Sequence, residues 1–115
     1  GLGLTQARQQ GIRAFASAYA EDAIRLDGSV GLDRLVDSIS AIDGLGAWTA
    51  HYVALRIGEP DAFPATDLGL RRAMGQVELA LLAERWRPWR ALAATHLWMQ
   101  DSAPVRPRVA EPAAA

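Results

Sequence analysis

Apolar residues recur along this chain at helical intervals, and no stretch alternates in the two-residue period of a strand. Thr5 is placed to cap a first helix over about 6–20, with Ala7, Ile12, Phe15, Ala16 and Tyr19 near one face. A turn containing Asp27-Gly28 follows. Leu32, Leu35, Val36 and Ile39 keep helical spacing and predict a second helix over about 31–40. A glycine turn at 43–46 leads into a third helix, about 47–57, which Gly58 ends two residues before Pro60. Residues 59–66 hold two prolines and no period, so they form a loop. Asp67 then stands at or near the start of a short helix, about 67–74, stopped by Gly75. A further helix covers about 76–86, and Pro88 suits the first turn of a last one, about 88–100. From Ser102 the residues are Pro, Val, Arg and Ala without amphipathic order, which predicts a disordered tail over 102–115. The expected fold class is all-α, with no repeat.

Composition narrows the chemistry. At 115 residues the chain holds one domain at most. It has no cysteine, which excludes a disulfide framework, a thiolate metal site and an iron–sulfur cluster. No apolar run reaches membrane-spanning length and no signal peptide is visible, so a cytoplasmic setting without a membrane partner is expected. Gly1 is not an initiating methionine, and the expectation is a part of a longer protein. All twelve basic residues are Arg, so no lysine side chain is present to form a Schiff base. The formal net charge is −1, but it is unevenly spread. Residues 21–43 carry Glu21, Asp22, Asp27, Asp33, Asp37 and Asp43 against Arg25 and Arg34. Residues 68–100 carry Arg71, Arg72, Arg85, Arg87 and Arg90 against Glu78 and Glu84. That asymmetry permits a polyanion-facing side without requiring one.

The most telling local pattern is Gly44-Leu45-Gly46-Ala47-Trp48-Thr49-Ala50, with Asp67 nineteen residues after Trp48. Glycines at 44 and 46 accept positive φ and put no Cβ in the way of a ligand. The helix that starts just after them has first-turn N–H groups without intrahelical partners and a dipole that favours negative charge. A phosphate oxygen fits such a place. Glycines also make tight turns between helices with no ligand, and on its own a G-x-G turn reads that way. Asp67 taken alone reads equally as a helix N-cap. Trp48 and Tyr52, four apart on one helix face, taken alone read as core, as do Trp86, Trp89 and Trp98. His51 reads as a surface histidine and His96 as a packing histidine rather than ligands, and the Arg-rich 85–90 stretch as a solvated face.

Together these segments resemble the helix-hairpin-helix base-excision DNA glycosylases. Ile42-Asp43-Gly44-Leu45-Gly46-Ala47-Trp48-Thr49-Ala50 resembles their hairpin, within a motif spanning about 31–57. Tyr52-Val53-Ala54-Leu55-Arg56 follows at the family's offset, and Asp61-Ala62-Phe63-Pro64-Ala65-Thr66-Asp67-Leu68 resembles the loop that delivers its aspartate. Glu84-Arg85-Trp86-Arg87-Pro88-Trp89-Arg90 and His96-Leu97-Trp98 resemble its closing helices. Within the superfamily the likeness is to the 3-methyladenine DNA glycosylase II branch, over about residues 2–100. It implies that residues 1–101 are the C-terminal half of a glycosylase domain.

The resemblance carries specific expectations. The activity is hydrolysis of the N-glycosidic bond of an alkylated purine such as 3-methyladenine in double-stranded DNA, in base excision repair. Asp67 is the catalytic carboxylate, stabilising positive charge on the sugar and orienting or deprotonating water. Trp48, Tyr52 and Trp98 surround the extruded base, where electron-rich rings suit a cationic purine. Gly44, Leu45, Gly46 and Thr49 meet the DNA backbone. Trp48 stands where lyase members carry lysine, which implies a monofunctional hydrolase. No cofactor is required; a monovalent cation at the hairpin would be held by the main-chain carbonyls of Ser40, Ile42 and Leu45. The partners implied are DNA and an N-terminal half that supplies the other wall of the cleft, fused in some relatives to an adaptive-response regulator domain. The setting implied is bacterial and nucleoid-associated.

Two departures stand out. Asp43 occupies a position where family hairpins usually have proline, and its charge next to a phosphate site should weaken DNA binding. The N-terminal half is also absent from these 115 residues. A non-catalytic DNA-binding module and an inactive truncated remnant therefore remain as alternatives. Asp67 with the three aromatic residues favours the enzyme, because phosphate binding needs none of them.

Overall fold

A computed structural model describes residues 3–102, and these are helical with no strand. The elements are α1 (Gln6–Ala20), α2 (Leu32–Ser40), α3 (Ala47–Arg56), α4 (Leu68–Met74), α5 (Leu79–Ala83), a 3₁₀ turn (Glu84–Trp86) and α6 (Arg90–Ser102). The expected all-α class is what the chain adopts. The expected disordered tail lies outside the described residues, except that α6 includes Ser102.

The helices divide between two small cores. Ile24, Leu35, Ile39, Ala50, Ala54 and Ala62 form the first, with Phe15, Ala18 and Leu45 packed against it. Phe63, Leu70, Leu79, Ala83, Ala94 and Leu97 form the second. Leu55 packs against both. Sealing a single Leu or Ile away from water contributes about 1.5–3 kcal/mol, so each half has a few such anchors rather than one large interior. Ala62 and Phe63 are adjacent in sequence yet bury in different cores. The loop before α4 is thus fixed from both sides, and Asp67 leaves it at a defined place.

Thr5 caps α1 as expected, its hydroxyl accepting from the Arg8 N–H at 3.3 Å. The buried face of α1 differs from the expected one. Gly11 is buried, and Phe15 and Ala18 pack inward, whereas Ile12 and Tyr19 are more than half exposed. The reason is the close approach of the hairpin: a Cβ on Gly11 would stand 3.6 Å from Leu45 Cδ2 and 3.7 Å from the Asp43 carbonyl oxygen. The helix turns its glycine, not its isoleucine, toward the incoming turn.

Three other expectations shift. The fifth helix is shorter, with a single α turn and a half before the 3₁₀ segment. Pro88 lies in the turn ahead of α6, not in its first turn, because the Trp89 N–H closes back on the Trp86 carbonyl at 2.7 Å. That turn carries Trp89 outward, 58% exposed, so it is not core. Trp86 does pack, edge-on against Phe63 with ring centroids 5.9 Å apart.

Candidate active site

Asp67 is the N-cap of α4. Its carboxylate oxygen Oδ2 accepts the Leu70 N–H at 3.0 Å, the ordinary bond of a capping aspartate. The same carboxylate has two further donors that capping does not require. Trp98 Nε1 on α6 donates to Oδ2 at 2.7 Å, and Trp48 Nε1 on α3 donates to Oδ1 at 2.8 Å. Three helices therefore converge on one carboxylate.

The hydrogen bonds fix its charge. Partial burial, which favours the neutral acid, is outweighed by donation from the Trp98 indole, the Leu70 N–H, the Trp48 indole and the Gly69 N–H. The Asp67 carboxyl is held below the usual carboxylate range and is ionised at neutral pH. An anion with several donors on it is a weakened base and a firm, immobile negative charge. It suits stabilising a cation better than accepting a proton.

Aromatic rings flank the charge. Trp48 and Tyr52 stack with centroids 5.1 Å apart and planes 12° from parallel, as their spacing of four on α3 allows. Tyr52 meets Trp98 edge-on at 6.0 Å. Both Trp48 and Tyr52 remain partly open to solvent, 41% and 37% exposed, so they are not core. An open hollow lies beside them, lined by Tyr52, Leu55, Arg56, Asp67, Thr95 and Trp98. Arg56 and Thr95 were not singled out from sequence. Helical spacing carried the signal: Arg56 lies four beyond Tyr52, and Thr95 three before Trp98.

Gly69 and Asp101 also belong to this neighbourhood. A Cβ on Gly69 would stand 3.1 Å from Asp67 Oδ2, 3.2 Å from Asp101 Oδ2 and 3.2 Å from Trp98 Cδ1. Only glycine fits there without displacing the carboxylate or the ring. Asp101 is paired to Arg72 through two bonds, at 2.9 and 3.2 Å, which join the end of α6 to α4. The hydrogen bonds and charge of Arg72 keep the Asp101 carboxyl below its ordinary range, despite the like charge of Asp67.

The loop leading to Asp67 is tied down on both sides. The Phe63 N–H donates to His51 Nδ1 at 3.2 Å. Arg90 Nε donates to Asp61 Oδ1 at 2.9 Å, Arg87 donates to Asp61 Oδ2 at 2.6 Å, and the Ala91 N–H reaches the Pro60 carbonyl at 2.9 Å. Arg90 is buried, and Arg87 is shared between Asp61 and Glu84. The Arg-rich stretch is therefore a clamp on the loop more than a solvated face. The two histidines exchange their expected roles. His51 is half-buried and bonded to the loop, while His96 is exposed beside Gln100 on α6.

The hairpin lies at the other end of Trp48. Gly44 takes φ +88°, a conformation that favours glycine, and its turn packs against the Ala7 carbonyl of α1. Gly46 is the N-cap of α3, and no side chain caps this helix. The first-turn N–H groups around Thr49 thus have no intrahelical partner. Leu45 is half-buried against the first core. Ser40 ends α2, and the Ile42 carbonyl accepts the Leu45 N–H at 3.1 Å. A carbonyl oxygen has two lone pairs, so that bond leaves it able to face a cation. Asp43 is exposed at the turn. Among the described residues no cluster of His, Asp or Glu could hold a metal ion, and no helix is long and apolar enough to cross a membrane.

Known proteins resemble this chain in sequence. A Mycobacterium tuberculosis protein named "Probable bifunctional transcriptional activator/DNA repair enzyme AlkA" is 39% identical over 112 residues, covering 90% of this chain and 23% of that protein. "DNA-3-methyladenine glycosylase 2" of Escherichia coli is 29% identical over 104 residues, covering 87% of this chain and 37% of that protein. "DNA-3-methyladenine glycosylase" of Bacillus subtilis is 34% identical over 68 residues, covering 50% of this chain and 22% of that protein. The chain thus spans well under half the length of these relatives. No protein-family model and no solved structure matches it.

Proposed function

We propose, for a chain that belongs to the 3-methyladenine DNA glycosylase II branch of the helix-hairpin-helix glycosylases, that it carries the reacting carboxylate and much of the base pocket of a monofunctional DNA glycosylase. The reaction is hydrolysis of the N-glycosidic bond of an alkylated purine, such as 3-methyladenine, in double-stranded DNA. The observation that carries this reading is the Asp67 carboxylate, ionised and gripped by the indoles of Trp48 and Trp98 beside the stacked Trp48–Tyr52 pair.

Each part has a role. As the bond to the base lengthens, positive charge develops on the deoxyribose. A fixed carboxylate beneath the sugar lowers the energy of that state by about 3–4 kcal/mol, the usual scale for one preorganised electrostatic group. The base extruded from the duplex enters between Trp48, Tyr52 and Trp98, whose ring faces attract a cationic purine. A purine already carrying a positive charge leaves without a strong general acid, which suits a site whose carboxylate is held ionised. Water attacks the sugar carbon, oriented by Asp67, and an abasic site remains. Trp48 offers no amine for attack on the sugar, so strand cleavage does not follow.

The hairpin supplies the grip. A phosphate oxygen is received by the N–H groups around Gly44, Leu45, Gly46 and Thr49. The carbonyls of Ser40, Ile42 and Leu45 would hold a monovalent cation there, neutralising part of the phosphate charge. Trp48 links the two functions: its backbone lies in the first turn of α3 beside the hairpin and its indole ends on Asp67. The cleft needs a second wall, which we assign to an N-terminal half, joined in some relatives to a regulator domain. The isolated 115 residues are accordingly weak or inactive. Release of free methylated bases from alkylated duplex DNA, compared between this chain and a longer form carrying the upstream half, tests the reading. Release by the longer form supports it. Salt-dependent DNA binding without release would make the protein a helix-hairpin-helix binding module instead.

A further inference from the structure

We infer that His51 is a positioning residue for Asp67, holding the aspartate loop to the helix that carries Trp48 and Tyr52 through a neutral imidazole whose Nδ1 accepts the Phe63 N–H. The inference rests on the reading of Asp67 as the reacting carboxylate.

Phe63 is 2% exposed, and its N–H lies away from water. A buried backbone donor left without a partner pays its full desolvation cost, so the acceptor it finds matters. Among the described residues no backbone carbonyl serves it, because the chain here leaves the first core for the second and forms no regular element. His51 Nδ1 fills that place at 3.2 Å. To accept there, the ring must be uncharged, with its proton on Nε2. Partial burial opposes the charged form, and the cations Arg90 and Arg87 add to that, while Asp33 and Asp61 favour it; burial and the two arginines prevail. The imidazole is thereby kept in its accepting form at neutral pH.

The geometry explains why this matters at a distance. His51 lies between Trp48 and Tyr52 on α3. Its tie fixes Phe63 four residues before Asp67, and Trp48 fixes Asp67 itself. The aromatic pair and the carboxylate are thus set from one helix by two bonds. The Arg90–Asp61 pair and the Ala91–Pro60 bond hold the same loop to α6. Losing the His51 tie leaves the loop attached to α6 and loosens its hold on α3, where only the packing of Ala62 and the Trp48–Asp67 bond remain.

The test uses the 115-residue chain labelled with ¹⁵N-tryptophan, with the Trp48 and Trp98 indole signals assigned by Trp→Phe replacements. In His51→Phe the Trp48 indole proton should shift upfield, as its bond to Asp67 weakens, more than that of Trp98. His51→Asn, whose side-chain oxygen can stand where Nδ1 stands, should restore the Trp48 signal. Thermal melting shows whether His51→Phe remains folded. If it does not, titration of the unsubstituted chain decides: the Trp48 indole signal should follow the protonation curve of the His51 ring. A Trp48 signal unmoved in folded His51→Phe, or one that ignores the His51 titration, overturns the inference. If Asp67→Asn leaves base release intact, the glycosylase reading fails while the indole result stands by itself.

Discussion

Trp98 and Asp67 are thirty-one residues apart, and the Trp98 indole donates to the Asp67 carboxylate at 2.7 Å. The bond joins the last helix to the cap of α4. It also does to the carboxylate what a capping bond alone would not: with Trp48 on the other oxygen, it fixes both the direction and the charge of the group. A helix cap has become a preorganised anion.

Trp98→Phe tests that statement through acid stability. Asp67 has a folded pKa below its unfolded value, so its contribution to stability is present above the unfolded pKa and lost as pH falls through the folded one. Removing the indole donor brings the two values closer and shrinks the contribution. Acid unfolding of Trp98→Phe, followed by circular dichroism, should begin at a higher pH than in the unsubstituted chain. Base release by the longer form should fall as well.

His51 gives a separate signature nearer neutrality. Its folded pKa lies below the ordinary value of 6.5. The unfolded chain therefore takes up this proton first as pH falls. Stability is complete above the ordinary value, declines through it and levels off once the folded histidine is itself protonated. Denaturant midpoints between neutral and mildly acidic pH should show this decline, and His51→Asn should remove it.

Gly69→Ala sets two effects against each other. Alanine is favoured over glycine inside a helix by about 1 kcal/mol. The new Cβ would press on Asp67 Oδ2, Asp101 Oδ2 and Trp98 Cδ1, all within 3.2 Å. Asp67 is held by three helices and cannot give way cheaply, and overpacking of this kind costs about 1–3 kcal/mol. We expect a lower Tm, and weaker base release by the longer form, with the backbone helicity unchanged.

The two arginines on Asp61 should differ in weight. Arg90 is buried and Arg87 half exposed. Arg90→Met removes a charged hydrogen bond in a closed setting and should cost about 1.5–3 kcal/mol. Arg87→Ala should cost clearly less, since exposed pairs are screened. Urea denaturation of the two variants compares them directly.

Much of this was legible in the sequence. The starts of α1 and α4 follow from Thr5 and Asp67, because caps are local chemistry. The grouping of Asp67, Trp48, Tyr52 and Trp98 followed from resemblance, and the chain folds to bring all four together. What could not be read was long-range. The inward face of α1 depends on which residue lets the hairpin approach, and Gly11 rather than Ile12 does so. Trp89 reads as core by type, yet the turn around Pro88 carries it outward. His51 and Arg90 acquire their roles from Phe63 and Asp61, across a loop without periodicity.

On the proposed function, Asp67 supplies the charge that breaks the glycosidic bond. Asparagine keeps the size of the side chain and its capping ability but removes that charge, together with one of the two oxygens that accept the indoles. The direct measurement is release of methylated bases from alkylated duplex DNA by the longer form and by its Asp67→Asn variant, with DNA affinity recorded for both. Release should fall by about 10²–10³-fold, with binding to unmodified duplex retained. Release by the variant at the unsubstituted rate would contradict it and leave Asp67 as a helix cap.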